Sequence, residues 1–336
     1  MLKKIVFLGM GGTIAGTAES ATDNVGYQAA QLGVGQLLSA LPALRVTLAD
    51  HAPVVEQVAQ IDSKDMGWSQ WCALASRVAH YLALPDVRGL VITHGTDTLE
   101  ETAFFLSRVL PAEGLAHKAV VLTCAMRPST SLTPDGPQNL LDAVALARAP
   151  DARGVLAVCA GTVHAARDVQ KVHPYRLDAF TSGDAGPLGY VEEGRVRWVH
   201  PCPPAVPASA QVRIDRLSAA RWPRVDIVMS YVGATGATVR ALCAPAVDGG
   251  IPVSGIVVVA TGNGTVHQDL EAALQEVQRQ GVRVVRSTRC ALGQVVQGAE
   301  PGTGLPHSEG LSPVKARIAL MLDLLAREQN GGSLST

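Results

Sequence analysis

The sequence has no long hydrophobic run. A helix that crosses a membrane needs about 20 consecutive apolar residues, and the apolar runs in these 336 residues have only the length of β-strands. The first, Ile5 to Leu8, follows Lys3 and Lys4 but stops at a glycine-rich turn, which is too early for the apolar core of a secretion signal. We therefore expect a soluble, cytoplasmic protein that begins with a β-strand.

Neither sign of charge is in excess. The chain has 28 Lys and Arg against 29 Asp and Glu, and charged residues make up only 17% of it. Such a chain has no overall field that attracts nucleic acid or an anionic membrane surface. We expect a small molecule as the partner, with no nucleic acid and no membrane.

Cysteine is present, but without the spacing of a metal or redox site. No C-x-x-C pair occurs, and no histidine stands near a cysteine at the spacing of a zinc site. We expect six reduced, structural thiols, as is usual in the cytoplasm. They are Cys72, Cys124, Cys159, Cys202, Cys243 and Cys290.

Short runs rich in β-branched residues recur along the chain, with helical patterns between several of them. One helical pattern covers Met66 to Leu82, and another, Val314 to Ala326, follows a favourable cap and first residue at Ser312 and Pro313. This alternation predicts an α/β fold with a largely parallel sheet. The predicted strands are Lys4 to Leu8, Leu90 to Thr93, Ala119 to Thr123, Gly154 to Val158, Asp226 to Ser230, Gly255 to Ala260 and Val282 to Val285.

A proline-rich segment divides the chain. Four prolines fall within the seven residues from Pro201 to Pro207, which excludes both a helix and the interior of a sheet. We predict a larger N-terminal domain over 1–199, with a mostly parallel sheet flanked by helices, and a linker over 200–220. A smaller, Rossmann-like C-terminal α/β domain is predicted over 221–336.

Loops at the carboxyl ends of parallel strands are the first candidates for a site, because ligands bind there. The loop Gly11 to Gly16 follows the first strand, and its glycines allow close backbone approach while Thr13 places a hydroxyl at the strand exit. A nucleotide site is the alternative interpretation. It is disfavoured because Ile14 stands where the G-x-G-x-x-G pattern needs glycine, and no phosphate-binding lysine follows.

A second polar loop, Thr93 to Thr102, also follows a strand and opens a helix. Thr98 and Glu101 have the spacing of a capping box, so we expect them to be structural. Thr96 and Asp97 precede that cap, where a hydroxyl and a carboxylate could face a ligand. Taken alone, Asp97 is more typical of a cap or turn than of a ligand-binding residue.

Two further polar segments have ordinary structural interpretations. In Asp62 to Met66, Ser63 or Asp65 could be the N-cap of the following helix, and Asp65 is the preferred candidate. In Arg167 to Lys171, which follows the strand at Gly154, a lone lysine is usually a solvated charge.

In this order, these loops resemble the asparaginase/glutaminase family of bacterial L-asparaginases. Two signatures of that family are similar to Gly11-Gly12-Thr13-Ile14-Ala15-Gly16 and Thr93-His94-Gly95-Thr96-Asp97-Thr98. The resemblance extends from about Lys4 to about Leu325. Further matching motifs are Ala125-Met126-Arg127-Pro128-Ser129-Thr130, Asp135-Gly136-Pro137, Gly186-Pro187-Leu188-Gly189 and Gly262-Asn263-Gly264.

The resemblance implies a role for each chemically interesting residue. It makes Thr13 the nucleophile and Thr96 a second essential threonine, with Asp97 and Lys171 completing a Thr-Lys-Asp group. Lys171, unremarkable by itself, becomes the candidate base. Tyr27 lies on the segment that matches the family's mobile flap, where a tyrosine stands near the nucleophile.

The resemblance also implies substrate-binding and intersubunit residues. Ser63 matches the serine that binds the substrate's α-carboxylate, and we place Asp62 beside it among the substrate-binding residues. Glu300 matches a glutamate that reaches the neighbouring subunit's site and bonds the flap tyrosine. We therefore expect a homo-oligomer, at least a dimer with shared sites, and a tetramer built as a dimer of intimate dimers.

Two positions depart from the pattern. Lys64 stands where many periplasmic relatives have an amide or acid near the substrate's amino group, and we expect its side chain to point away from the site. Gly233-Ala234-Thr235 stands where some relatives contribute an asparagine across the dimer. One intersubunit contact is therefore expected to be missing.

The implied chemistry is hydrolysis of the side-chain amide of L-asparagine. Thr13 attacks the carbonyl, an acyl-enzyme forms, ammonia leaves, and water then releases aspartate, while backbone N–H groups of the glycine loop and of Thr96 stabilise the oxyanion. A base must take the threonine proton. Partial burial of Lys171 favours its neutral, basic form whereas Asp97 opposes it, so geometry decides. No cofactor or metal is implied.

Three alternatives remain open in the sequence. A dual glutaminase-asparaginase differs only by one accommodated methylene, which loops in a sequence do not resolve. A non-catalytic amino-acid or nucleotide sensor on the same sheet has no need of the four residues Thr13, Thr96, Asp97 and Lys171 together. The amide-processing subunit of a tRNA-dependent amidotransferase carries an extra N-terminal domain, whereas here the nucleophile is residue 13.

Overall fold

The computed structural model describes residues 2–204, 212, 214–218, 220–245, 250–296 and 304–329. The chain forms two compact units, Met1–Ser218 and Ala219–Thr336. Each unit has its own sheet, and within the described residues no helix is long and apolar enough to cross a membrane.

The larger unit alternates strands and helices over most of its length. Its elements are β1 (Lys4–Gly11), α1 (Val34–Ser39), α2 (Leu44–Leu48), β2 (Ala52–Ile61), α3 (Trp68–Ala83), β3 (Val87–Thr93), α4 (Leu99–Val109), α5 (Ala112–Leu115), β4 (Ala119–Thr123), α6 (Gly136–Arg148), β5 (Gly154–Cys159), β6 (Thr162–Ala165), β7 (Gln170–Lys171), β8 (Phe180–Thr181), β9 (Gly189–Glu192) and β10 (Arg195–Trp198).

Eight of these strands form one mixed sheet in the order β10-β9-β6-β5-β4-β3-β1-β2. Five neighbouring strands, β2, β1, β3, β4 and β5 in sheet order, pair in parallel. Beyond β5, the strands β6, β9 and β10 extend the sheet in antiparallel pairs. The central strands are buried along their length, which explains their near-continuous β-branched sequences. The predicted mostly parallel sheet flanked by helices is confirmed.

Some elements of this unit have weak sequence signals. The edge strand β2 alternates half-buried and exposed residues, and Val55 is among the exposed ones. Its sequence therefore lacks the continuous apolar run of a central strand. The pair β7 and β8 has only two residues in each strand. This pair is nevertheless important, because it carries Lys171.

The smaller unit is a three-stranded parallel sheet with helices around it. Val228, Ile256 and Leu274 belong to its own buried apolar cluster. The described elements are β11 (Arg224–Met229), α7 (Ala237–Leu242), β12 (Val253–Ala260), α8 (Gln268–Arg279), β13 (Arg283–Thr288) and α9 (Pro313–Gln329), with strand order β11-β12-β13. The predicted smaller α/β domain fold and the helix opened by Pro313 are confirmed.

The helix starts near the polar loops differ from the sequence expectation. Thr98 precedes α4, but its hydroxyl donates to the carbonyl oxygen of Ser63 at 2.8 Å, so the predicted capping box does not form. Neither Ser63 nor Asp65 caps α3, which begins at Trp68 after Gly67. The predicted caps do not form here because the polar side chains bond across loops rather than within their own helix.

Candidate active site

Close backbone approach brings the first two polar loops together. Gly12 has a φ of 81°, and a Cβ atom there would lie 2.3 Å from Cα of Gly95. A Cβ on Gly95 would in turn lie 2.4 Å from Oγ of Ser63. The segments that carry Thr13, Thr96 and Ser63 therefore meet at the carboxyl ends of β1, β3 and β2, because glycine leaves room for contact.

Thr13 forms a hydroxyl pair with the flap tyrosine. Its Oγ1 lies 2.6 Å from the phenol oxygen of Tyr27, and Thr13 is buried in the short turn that follows β1. Burial raises the pKa of the Tyr27 phenol, the charges of Asp97 and Asp62 raise it further, and the bond with Thr13 opposes them. Tyr27 therefore stays a neutral phenol at neutral pH, able to donate or accept one hydrogen bond with Thr13.

Thr96, Asp97 and Lys171 form one hydrogen-bonded group. Nζ of Lys171 lies 2.8 Å from Oγ1 of Thr96 and 2.7 Å from Oδ1 of Asp97. The lysine side chain is 17% exposed, whereas that of Asp97 is 53% exposed, so the carboxylate forms the open side of the group. Because Lys171 lies on β7, residues 75 positions apart in sequence meet here.

The two groups are neighbours without a direct bond. In the described part of the chain, no hydrogen bond joins Thr13 to Thr96 or Lys171, and the contact runs through Gly12 and Gly95. The N–H of Gly12 donates to Ile61 and is not available to a ligand. The N–H groups of Thr13 and Thr96 have no acceptor among the described residues, so they remain as donors for an anionic oxygen.

Ser63 borders the same site from the end of β2. It is buried, and its Oγ accepts a hydrogen bond of 3.3 Å from the N–H of Asp97. Asp62 caps the short turn through Lys64 N–H at 3.3 Å, and its carboxylate pairs with Lys64 Nζ at 3.2 Å. Lys64 also pairs with Asp65 at 2.6 Å and is 61% exposed, so its ammonium bonds acids of its own turn.

His94 is a buried side chain of the second loop to which the sequence assigned no role. It is fully buried, Nδ1 donates to the carbonyl oxygen of Gly95 at 2.8 Å, and Nε2 has no partner among the described residues. Burial lowers the pKa of this imidazole to about 4. His94 is therefore neutral at pH 7 and holds the backbone next to Thr96.

Two residues with side-chain bonds near this cluster were not singled out in the sequence. Ser129 bonds Gly16 in the loop that carries Thr13, and Asp135 bonds the backbone of the segment that carries Ser129. Both lie in motifs that carried the resemblance, but a contact between residues 113 positions apart leaves no local pattern. The motif match was the available signal.

Not every predicted position can be placed. Glu300 lies outside the described residues. Gly233 is described, with a φ of 76°, in a turn closed by a bond from Ala234 N–H to Tyr231.

Among the described residues, no three His, Cys, Asp or Glu side chains form a group that could hold a metal ion.

The fold and this cluster define a two-unit α/β enzyme with a hydroxyl group as the candidate nucleophile. The chain belongs to the asparaginase family: residues 4–203 match the family described as Asparaginase, N-terminal, and residues 224–331 match the Glutaminase/Asparaginase C-terminal domain. It is an amidohydrolase, which sets aside the sensor interpretation.

Named relatives are similar over nearly the whole chain. L-asparaginase 2 of Escherichia coli (strain K12) is 39% identical over 96% of this chain and 89% of its own. Glutaminase-asparaginase of Pseudomonas fluorescens biotype A is 37% identical over 96% of this chain and 86% of its own. A crystal structure of a probable cytoplasmic L-asparaginase from Campylobacter jejuni has a TM-score of 0.86 at 36% identity, covering 99% of this chain and 98% of that one.

Proposed function

We propose that this enzyme is an L-asparaginase that hydrolyses L-asparagine to L-aspartate and ammonia through an acyl-enzyme on Thr13. The observation that carries the proposal is the backbone contact of Gly12 with Gly95. This contact brings the segment of Thr13 against the segment of Thr96 and Asp97, whose side chains bond Lys171. The names of the relatives support the substrate class.

In acylation, the Thr13 oxygen attacks the side-chain carbonyl carbon of asparagine, and its proton must pass to a base. Lys171 is the candidate base, because its two hydrogen bonds use two N–H groups and the third position on nitrogen is a lone pair in the neutral amine. Tyr27 orients the attacking hydroxyl. The C–N bond then breaks, and ammonia leaves after it gains a proton.

The oxyanion of the tetrahedral intermediate needs donors that are already in place. The N–H groups of Thr13 and Thr96 fit this requirement, and one good donor contributes roughly 3 to 4 kcal/mol. In deacylation, water attacks the ester carbon, and the Thr13 oxygen regains its proton. Aspartate is then released and the threonine is free for another cycle.

Recognition of the substrate's charged end is assigned to the half-exposed Asp97 and to Ser63. Both bonds to Asp97 go to Oδ1, which leaves Oδ2 for the α-ammonium group. Ser63, with backbone donors, is assigned to the α-carboxylate end. Asp62, next to it, stays among the substrate-binding candidates without an assigned group, since its carboxylate bonds Lys64. Charge-assisted hydrogen bonds of this kind fix orientation as well as affinity.

The nucleophile assignment is tested by Thr13→Ala. We expect ammonia release from asparagine to be abolished while the circular dichroism spectrum and melting temperature stay near those of the parent. Thr47→Ala is the matched control, since that hydroxyl bonds only the carbonyl of Ala43 in its own helix. Parent-like turnover by Thr13→Ala contradicts the mechanism.

A dual glutaminase-asparaginase is the second candidate, because relatives with that name are as similar as some named asparaginases. One methylene in a pocket changes binding by roughly 1 to 3 kcal/mol. Comparing kcat/KM for asparagine and glutamine distinguishes the two functions. Comparable values for both substrates would establish the dual activity.

Domain limits, assembly and location complete the proposal. We assign 1–199 to the nucleophile domain, 200–220 to a linker and 221–336 to the C-terminal domain, which the division after Ser218 supports.

We infer a homotetramer of two intimate dimers in the cytoplasm. The six free cysteines and the name of the Campylobacter jejuni structure support that location. Titration of all six thiols under denaturing, non-reducing conditions tests it, since a stoichiometric disulfide favours an exported protein.

A further inference from the structure

The β4–α6 loop, residues 124–135, packs against the loop Gly11 to Gly16, which carries the candidate nucleophile and is called the nucleophile loop here. Ser129 donates two hydrogen bonds to the carbonyl oxygen of Gly16, one of 2.9 Å from its N–H and one of 2.7 Å from its hydroxyl. The N–H of Gly16 donates to the carbonyl oxygen of Thr13 at 2.8 Å. Ser129 therefore holds the residue that closes the turn carrying the candidate nucleophile.

The same loop also holds residues 18–27, the segment that leads to Tyr27 and is called the flap here. Oγ1 of Thr130 accepts a hydrogen bond of 2.8 Å from Ala18 N–H, and Leu132 N–H donates to the carbonyl oxygen of Ala21 at 3.0 Å. The flap segment that these bonds hold leads to Tyr27, whose phenol contacts Thr13. One loop therefore sets the position of both hydroxyl groups of the pair.

Asp135 anchors this loop. Its carboxylate accepts 2.9 Å bonds from the N–H groups of Met126 and Arg127 and a 3.1 Å bond from the side-chain amide of Asn139. Asn139 is buried and also bonds the carbonyl of Cys124 at the end of β4. Asp135 occupies the N-cap position of α6 without capping it, so its carboxylate is committed to the loop.

A direct contact connects the start of α6 to the nucleophile turn as well. A Cβ on Gly136 would lie 2.9 Å from Cγ1 of Ile14, the residue after Thr13. The turn at Thr13 is therefore held by Ser129 on one side and by the base of α6 on another. A shift of Asp135 would move both supports together.

We propose that Asp135 and Ser129 are positioning residues for the nucleophile, with Asp135 fixing the β4–α6 loop and Ser129 holding the Thr13 turn through Gly16. This inference rests on the proposed function of Thr13. Neither residue is assigned to the reacting atoms, and the substrate-binding candidates Ser63 and Asp97 lie on other loops. Their loss should therefore lower kcat with little change in KM, since misplacement of about 1 Å can reduce a rate about 10²-fold.

The test uses Ser129→Ala and Asp135→Asn in the full chain, with kcat, KM and melting temperature measured for each. We expect kcat to fall about 10-fold for Ser129→Ala and about 10²-fold for Asp135→Asn, with KM within about 2-fold of the parent. If Asp135 acts through Ser129, the double variant loses no more activity than Asp135→Asn alone.

Two matched controls separate positioning from general stability. Asp142→Asn removes a buried carboxyl of α6, one bonded to Gln138 and not to the loop. Ser107→Ala removes a hydroxyl that donates to the carbonyl of Phe104 at 2.7 Å. We expect both controls to keep the parent kcat, even where their melting temperatures shift.

The outcomes distinguish this inference from the proposed function. Parent-like kcat in Ser129→Ala, or losses in the double variant that multiply, overturns the positioning role, while an inactive Thr13→Ala in the same assay leaves the nucleophile assignment in place. An active Thr13→Ala overturns both. If Asp135→Asn does not fold, the kcat and KM of Ser129→Ala decide the question.

Discussion

Lys171 illustrates how a side chain acquires a role through its partners. Its two acceptors, Thr96 and Asp97, are adjacent in one loop, and the lysine is mostly buried while the carboxylate is half exposed. A lysine that only neutralised Asp97 would not need the bond to the buried hydroxyl of Thr96. We therefore propose proton transfer, rather than charge balance alone, as the role of Lys171.

We expect Lys171→Met to reduce kcat by at least about 10²-fold, the lower end of general acid–base contributions. Methionine keeps much of the apolar side-chain volume, so the loss reports on the amine. Lys3→Met is the control, since that exposed lysine bonds only the carbonyl of Pro85. A rise confined to KM would make Lys171 a binding residue instead.

His94 gives a prediction for stability against pH. An unfolded chain protonates this histidine below its ordinary pKa of 6.5, whereas the buried imidazole accepts a proton only near its folded pKa of about 4. The unfolded state thus binds more protons between these values, so the free energy of unfolding falls as pH drops from about 6.5 to about 4. The loss attributable to His94 is about 3 kcal/mol.

The measurement is the slope of unfolding free energy with pH for the parent and for His94→Gln. The variant should have a shallower slope in this window, whatever its absolute stability. His117→Gln, which removes an exposed histidine, is the control for loss of a histidine as such. Equal slopes in the parent and His94→Gln would contradict the prediction.

At the scale of elements, the two polar loops pack closely because glycine has no Cβ atom. Gly95 leaves space for the Oγ and Cβ atoms of Ser63, which would lie 2.4 and 2.6 Å from an added Cβ. We expect Gly95→Ala to lower kcat/KM for asparagine by about 10²-fold, because Ser63 or the Gly12 backbone must move.

Gly35→Ala is the matched control for this substitution. Gly35 lies in α1, and the nearest atom to an added Cβ is 3.9 Å away, which is ordinary contact. Alanine also favours a helix over glycine, so this variant should keep full activity and equal or greater stability. Full activity in Gly95→Ala would show that the loops tolerate separation.

The sequence predicted elements better than it predicted contacts between them. The central strands were predictable because burial on both faces demands continuous β-branched residues, as in Ala119–Thr123. The capping box at Thr98 was wrong, since its hydroxyl bonds Ser63 instead. No local sequence pattern predicts the hydrogen bond between Ser129 and Gly16, because that contact depends on the order of strands in the sheet.

At the scale of the whole molecule, the residues assigned to chemistry divide unevenly between the two units. Thr13, Tyr27, Thr96, Asp97 and Lys171 all belong to Met1–Ser218. The sequence places Glu300 in the other unit, Ala219–Thr336, beyond the described residues. Because the family resemblance assigns this glutamate to the neighbouring subunit's site, we propose that Glu300 of one chain bonds Tyr27 of another.

Mixed assemblies of two inactive variants test this shared site. A two-fold interface gives a dimer of Thr13→Ala and Glu300→Ala chains one site in which both residues are intact. Random pairing makes half of the dimers mixed, so co-expression should recover about a quarter of the parent activity. Glu271→Ala, on α8 of the same unit, should be active alone and serves as the control. If the two inactive variants never complement each other, Glu300 acts within its own chain or has no part in the site.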